Sequence, residues 1–457
     1  MKTVIVGAGI SGLATAYALL QKQPDLELTI LEAADRVGGK VWSDKTAEGY
    51  LCESGVNAFL DNKPKTLELS NMLGLSPVTS FDAARHRFVF SHKHLHELPT
   101  SPPAFLTSKL LSVPGRLRVL LETLILKGNK ADESLMDFAI RRLGHEAFEK
   151  LIDPMASGVF AGDAHQLSLQ SCFPRIHEVE MQYRSLILGL IKLQIKARQQ
   201  GQKDKPTAGP GGKLTSFVQG MSALPETIAA SLGDRLRLAT PVQGLSRAGG
   251  SYTLHLAHGE KLEAERIILA TPAHRQSKIL QDLAPDIARQ LNAIPYPSLS
   301  VCCLGFRRAQ IKHDLNGFGF LVPSREKRSI LGTLWDASIF PQRAPQDHVL
   351  LRTMVGGAQH PELALLPEDK LVDAVRHDLR EIMGVNAEPD FVRIYRHAQA
   401  IPQYVVGHAQ RLQTVNGLLA QHPNLILTGN AFKGVALNDC VANAYALADS
   451  LYPHNSF

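Results

Sequence analysis

The sequence predicts an α/β protein: a Rossmann-like domain, a mixed α+β domain and a mainly helical domain. Three observations predict it. A β-branched run, Thr3 to Val6, breaks into Gly7-Ala8-Gly9-Ile10-Ser11-Gly12 and continues at helical spacing through Leu13, Tyr17 and Leu20. A second strand, Leu26 to Leu31, delivers Glu32 about twenty residues after Gly12. Apolar stripes at three- and four-residue spacing dominate residues 80–198, and strand patterns return only after residue 212.

Each glycine of the first turn has a physical reason. Gly7 permits a tight strand-to-helix turn, Gly9 lets backbone approach a pyrophosphate, and Gly12 lets the helix pack close to the strand. The phosphates then meet the free N–H groups at the start of the helix. Glu32 stands where a carboxylate accepts ribose hydroxyls. A second glycine turn with cations follows, Asp35-Arg36-Val37-Gly38-Gly39-Lys40. It suits a longer cofactor whose far end is approached by backbone, so the first unit reads as a Rossmann-like FAD-binding domain. A nicotinamide reductase would need a second dinucleotide fingerprint, whereas the strand Ile267 to Ala270 ends in Thr271-Pro272. No Cys or His sits in an attachment motif, which predicts non-covalent FAD.

Along the chain, residues 1–78 form the first βαβ unit and its extension. Residues 80–198 are helical, and the polar, Pro/Gly-rich stretch 199–212 is a linker. Leu236 to Val242, Tyr252 to Leu256 and Ile267 to Ala270 read as strands returning to the nucleotide domain. Val301 to Phe306, Phe318 to Val322 and Val349 to Val355 belong to a separate mixed domain, and Asn424 to Leu451 reads as strand, glycine turn and helix. The FAD-binding domain is therefore 1–78 with 213–275 and 400–457, and the substrate-binding domain is 276–399. Two segments of the helical domain are basic and amphipathic. Phe105 to Lys127 interleaves Leu106, Leu110, Leu111, Leu117 and Leu120 with Lys109, Arg116 and Arg118. Arg184 to Arg198 sets Leu186, Leu190 and Ile195 beside Lys192 and Lys196. Membrane-surface helices have this pattern, and so do core helices with solvated lysines.

Composition closes off other classes. With 457 residues, 44% hydrophobic and 20% charged, the chain is globular and large enough for two or three domains. Its 49 Lys+Arg against 43 Asp+Glu permit a basic patch, but no nucleic-acid-binding motif is present. The five cysteines lack metal spacing, and the adjacent Cys302 and Cys303 read as strand core in a reducing compartment. His92, His94 and His96 alternate on a short polar strand and read as solvent-facing, so no metal is expected. With no secretory signal before the strand at residue 3 and no run of 18 apolar residues, the expected location is cytoplasmic.

Further stretches carry a resemblance: Gly158-Val159-Phe160-Ala161-Gly162-Asp163, Leu167-Ser168 with Ser171-Cys172-Phe173-Pro174, Tyr183 to Gly189, Ile401-Pro402-Gln403-Tyr404 with Gly407-His408, and Gly429 to Cys440. Together they resemble the oxygen-dependent protoporphyrinogen oxidase family, within the FAD-binding amine-oxidase-like superfamily, from residue 2 to about 451. The resemblance implies a flavin site made of Gly7, Gly9, Ile10, Ser11, Gly12, Glu32, Ala33, Arg36, Gly39, Lys40, the turn Gly55-Val56-Asn57-Ala58, Val242 with its backbone on adenine, Gly429, and Val435-Ala436-Leu437 at the flavin's carbonyl end. His397 stands where many relatives carry a tryptophan. For the substrate it implies Arg87 on a propionate, Leu321, Leu334 and Met354 sandwiching the macrocycle, and Gly158 near the pyrroles. Without the resemblance, Leu321, Leu334 and Met354 read as strand core and Arg87 as a surface charge.

The implied reaction is FAD-dependent oxidation of protoporphyrinogen IX to protoporphyrin IX, in three rounds of hydride removal with loss of a pyrrole proton, oxygen being reduced to hydrogen peroxide. No protein acid or base is assigned. Coproporphyrinogen III oxidation is the alternative, and an amine or carotenoid oxidase or a flavin-free GDP-dissociation-inhibitor-like binder is more distant. The implied partners are a porphyrinogen, molecular oxygen and a membrane surface bound peripherally through 80–198. Handover to a downstream chelatase and a homodimer are further options, and no nucleic acid is expected.

Overall fold

The computed structural model describes residues 1–199 and 212–453, so most of the expected linker 199–212 lies outside the described residues. Its nucleotide unit is a five-stranded parallel sheet in the order Leu236–Arg237, Leu28–Leu31, Thr3–Val6, Arg266–Leu269, Leu425–Leu427. Successive side chains point to opposite faces. Ile5, Ile30 and Ile268 thus pack under helices Ile10–Lys22, Ala223–Leu232 and Leu437–Leu451. Val4, Val6, Ile267 and Leu269 pack on the other side, against the antiparallel strands Val242–Ala248, Ser251–Leu256 and Lys261–Ala264. A sheet covered on both faces needs nearly continuous apolar runs, which Val4, Ile5 and Val6 and Ile267, Ile268 and Leu269 supply, all of them buried.

A seven-stranded mixed sheet forms the second unit, ordered Phe391–His397, Leu299–Arg307, His348–Gly356, Ile330–Trp335, Gly319–Leu321, Arg87–Ser91, His94–Glu97. Its back face buries Cys302, Leu304, Phe320, Trp335 and Leu351 against helix Glu368–Met383. Cys302 and Cys303 are strand core, as read from the sequence.

Three sequence-based boundaries need correction. Residues 87–97 fall inside the expected helical stretch, yet they form a hairpin that adds two strands to the substrate sheet through parallel pairing of Arg87–Ser91 with Gly319–Leu321. That pairing spans more than two hundred residues and leaves no local signature. Helices Ala273–Leu280 and Pro285–Asn292 lie partly within the expected substrate domain, but they bury Ile279, Ile287 and Leu291 in the nucleotide core. Leu236 to Val242 is not one strand: it breaks at Ala239, whose φ is +49°, and the halves join different sheets.

The helical unit packs Leu135, Phe138, Phe148, Phe160 and Leu167 together. Its amphipathic segment 105–127 is divided. Pro102 and Pro103 start helix Pro102–Thr107, Pro114 lies in the first turn of Val113–Leu120, and a 3-10 turn Leu121–Leu124 follows. Leu110 and Leu111 are buried, whereas Leu106, Leu117, Leu124 and Leu126 face solvent, the last two 74% and 73% exposed. Arg116 and Arg118 do not belong with the outward-facing cations. Arg116 donates to Leu106 O, and Arg118 donates to Arg142 O (2.9 Å) and Arg141 O (2.7 Å) at the end of helix Leu135–Leu143. Among the described residues, no helix is long and apolar enough to cross a membrane, and no His/Cys/Asp/Glu group could hold a metal.

Candidate active site

The first strand ends at Gly7, whose φ of +106° no other residue adopts comfortably. A Cβ on Gly12 would stand 1.9 Å from Gly7 O, so helix and turn touch through bare backbone. A Cβ on Gly9 would meet nothing within 4 Å. Gly9 thus borders open space at the start of Ile10–Lys22, a helix whose N-terminus has no side-chain cap. The N–H groups of Ile10, Ser11 and Gly12 remain available there. Helix Leu437–Leu451, packed beside it, begins at Ala436 and is also uncapped by a side chain. Two positive helix ends converge on one region.

Glu32 leaves the second strand with both oxygens engaged: Ala8 N–H donates to Oε2 at 2.7 Å and Ala34 N–H to Oε1 at 3.0 Å. The carboxylate is held over the glycine turn with lone pairs to spare. Thr240 N–H donates to Glu32 O at 2.7 Å, which brings the start of Val242–Ala248 beside it. Ala33 and Arg36 are exposed next to this edge, and Arg36 donates to Gly39 O at 3.1 Å.

Further along, Lys40 donates to Ala400 O and lies 5.5 Å from the Tyr296 ring; burial draws its ammonium down to about 8. His397 Nε2 lies 2.8 Å from Ser54 O, and burial lowers its pKa, with Lys40 and Arg36 adding repulsion. In the Gly55–Ala58 turn, both side-chain atoms of Asn57 are buried without a hydrogen-bond partner. A buried carboxamide with neither donor nor acceptor satisfied is costly and points to a polar ligand there. Val435 packs on the helical unit's core, and Gly429 (φ +123°) precedes it. Open space at Gly9, two uncapped helix starts, a fixed carboxylate and an unpartnered amide together fit an extended dinucleotide such as FAD.

All five substrate candidates meet on the other side of this turn. Arg87 and Leu334 are both paired with Gly319, and Leu334 is paired in turn with Arg352. One level along the sheet, Leu321 pairs Gly332, which pairs Met354. Paired residues share a face, so Arg87, Leu321, Leu334 and Met354 project to the same side. Gly158 lies over them: a Cβ there would be 2.6 Å from Leu321 Cδ2. Asp153, at the start of helix Asp153–Phe160, fixes this approach by accepting from Ser324 N–H at 2.8 Å. Ala58 packs on the cluster of Leu334 and Met354, so the turn joins the two halves of the site. Arg87 is half-buried. Among the described residues its guanidinium has no hydrogen bond or ion pair, only the Phe318 ring at 5.2 Å, and burial lowers its pKa. A cavity of about 300 Å³ lined by Tyr296, Ser298, Leu167 and Gln403 contains none of the five.

The model of the family described as flavin containing amine oxidoreductase matches residues 10–451. The chain belongs to this family. FAD is accordingly its cofactor, and this amine oxidoreductase chain has close counterparts of known name. It is 33% identical over 464 residues to a coproporphyrinogen III oxidase of Bacillus subtilis (strain 168), covering 98% of this chain and 97% of that one. It is also 33% identical over 473 residues to a chloroplastic protoporphyrinogen oxidase of Oryza sativa subsp. japonica, covering 98% and 87%. A crystal structure provisionally named protoporphyrinogen oxidase, from Exiguobacterium sp. 255-15, superposes with a TM-score of 0.82 at 31% identity, covering 99% and 98%. A cyclohexylamine oxidase from Brevibacterium oxydans IH-35A, 17% identical with a TM-score of 0.68, shares the fold.

Sequence reading did not pick out Glu53, Arg343 and Arg352, which with Asp336 make four buried charges behind the Gly55–Ala58 turn. Arg352 alone left a signal, as the single charge inside the apolar run Val349 to Val355.

Proposed function

We propose that the protein oxidises protoporphyrinogen IX to protoporphyrin IX with molecular oxygen, releasing hydrogen peroxide, as a step of haem biosynthesis. The observation that carries this reading is Arg87: a half-buried guanidinium without a counter-ion at the end of the apolar row Leu334, Met354 and Leu321. A flexible tetrapyrrole with carboxylate arms matches such a surface, the macrocycle on the apolar side chains and one propionate on the fork of the arginine. A guanidinium unpaired among the described residues, beside the apolar Leu334, Met354 and Leu321, favours a substrate with two propionates and two vinyl groups over one with four propionates.

FAD, when bound, supplies the two-electron acceptor. Gly7 to Gly12 and the helix start would hold its pyrophosphate, Glu32 the adenosine ribose, Val242 the adenine, and Gly55–Ala58, Lys40, His397 and Val435–Leu437 the flavin end. The chain's own work is orientation: Arg87 anchors one arm, Gly158 lets the helix approach the pyrroles, and Leu334 with Ala58 brings the macrocycle beside the flavin-side turn. The deciding experiment is a side-by-side assay of protoporphyrinogen IX and coproporphyrinogen III, read by porphyrin fluorescence. Preference for the former in kcat/KM supports the proposal, and preference for the latter replaces it.

The exposed face of the helical unit extends the reading to location. Leu106, Leu117, Leu124 and Leu126 lie in the same unit as Leu188, Ile191 and Ile195, with Lys109, Lys127, Lys192 and Lys196 exposed among them. Such a face suits peripheral docking on an anionic bilayer, from which a poorly soluble substrate would be drawn.

A further inference from the structure

The four buried charges behind the flavin-side turn join the two units. Glu53 Oε1 is paired with Arg343, and Oε2 accepts from Ser43 Oγ at 2.7 Å. Arg343 also donates to Ser216 Oγ at 2.9 Å and to Asn57 O at 3.3 Å. Arg352 Nε lies 3.0 Å from Asp336 Oδ2, and its Nη1 donates to Glu53 O at 3.3 Å and Gly55 O at 3.1 Å. None of the four side chains is more than 3% exposed. Burial raises the pKa of both carboxyls, and the guanidiniums oppose that shift.

Stability alone does not explain this arrangement, because a well-packed apolar set is commonly as stable as a buried ionic one. What apolar residues could not do is direct N–H groups at the carbonyls of Glu53, Gly55 and Asn57. These three oxygens fix an irregular turn that also carries the unpartnered Asn57 amide. Arg352 stands beside Leu334 at the same sheet level as Arg87. One cross-strand row therefore runs from the unpaired cation to the guanidinium that holds the turn.

We propose that Arg343 and Arg352 are positioning residues that fix the Gly55–Ala58 turn against the flavin, with Arg352 linking the turn to the substrate row. This rests on the flavin-site reading above. The test is R352K in the FAD-loaded enzyme and in its apoprotein. Lysine keeps the charge but cannot serve Asp336 and two carbonyls at once. We expect the FAD Kd, from reconstitution of apoprotein, to rise about tenfold and kcat to fall about tenfold, the scale of one charge-assisted bond. The flavin absorption band should shift, and KM for protoporphyrinogen should stay within about twofold. D336N/R352Q, which leaves no unpaired charge, should behave alike and guards against misfolding of the first variant. A lowered apoprotein Tm with wild-type FAD Kd, spectrum and kcat would overturn the proposal. Gly9→Leu separates this from the underlying reading: if that variant still binds FAD, the flavin site itself is misplaced. Should neither variant at Arg352 fold, hydrogen exchange on the wild type decides. FAD should slow exchange of the 54–58 amides by at least about tenfold, and unchanged exchange refutes the idea.

Discussion

Among the described residues, the Arg87 guanidinium, held half out of water, has the Phe318 ring beside it but not the carboxylate that buried arginines normally have. On the proposed function a substrate propionate supplies it. Arg87→Ala should then cut kcat/KM by roughly 10- to 100-fold, mostly through KM, with the flavin spectrum unchanged, since a charged hydrogen bond contributes about 1.5–3 kcal/mol. Arg87→Lys should recover part of this, and wild-type kinetics in both variants would return Arg87 to the surface. Histidines set a pH limit at the same scale. His408, stacked on Tyr404 at 4.3 Å, and His274 are both depressed to about 4, chiefly by burial. Each stays neutral in the folded chain while its unfolded counterpart protonates near pH 6.5. Stability is therefore fully present above pH 6.5 and is lost as pH falls toward 4, by up to about 1.4 kcal/mol per pH unit for the well-buried His408 and by less for the more solvent-screened His274. Urea unfolding at pH 7.5 and pH 5 should show the loss, and His408→Gln should flatten its slope.

At the scale of elements, the helical unit is organised by a buried ionic knot. Arg142 pairs with Glu122 at 3.0 Å and donates to Glu180 at 2.7 Å, while Glu122 accepts from Ser185 Oγ and from Leu186 N–H, capping helix Leu186–Gln199. Arg142→Met should lower stability by about 3–5 kcal/mol, because two carboxylates are left buried beside fewer cations. Adding Glu122→Gln should restore part of it, and equal urea midpoints for wild type and Arg142→Met would show that the knot contributes little. Elements were legible in the sequence where their cause is local. The turn Gly7 to Gly12 and the short apolar runs around Ile5 and Ile30 are written in neighbouring residues, and Pro114 marks the start of the second helix within 105–127. The allegiance of Arg87–Ser91 was not legible, since it depends on pairing with Gly319–Leu321. Nor were Arg116 and Arg118, whose partners are carbonyls that no side-chain pattern reveals. The proposed substrate row rests on resemblance; taken alone, Leu321 and Leu334 are what any strand core contains.

Across the whole molecule, on the proposed reading, the nucleotide unit and the mixed sheet would enclose the cofactor between them, and the helical unit turns an apolar, basic face outward. Liposome flotation tests that face. The protein should float with anionic vesicles, and K192E/K196E should weaken this by about 1 kcal/mol per charge removed from the surface. L124D/L126D should reduce binding to neutral and anionic vesicles alike. Protein left at the bottom with both would end the membrane reading. The order of the central sheet has a consequence for how the chain is made. Thr3–Val6 lies in the middle of that sheet, but its neighbour Arg266–Leu269 and the edge strand Leu425–Leu427 come far later in the chain. At a synthesis rate of about 5–20 residues per second, the first strand waits roughly 20–80 s for the last. Until Arg266–Leu269 emerges, Val4, Ile5 and Val6 have only Leu28–Leu31 to pair with, and the glycine turn has no second wall. Closing so long a loop is slow and leaves sticky edges uncovered, so the ribosome-bound chain should depend on holdase chaperones until nearly its whole length has emerged.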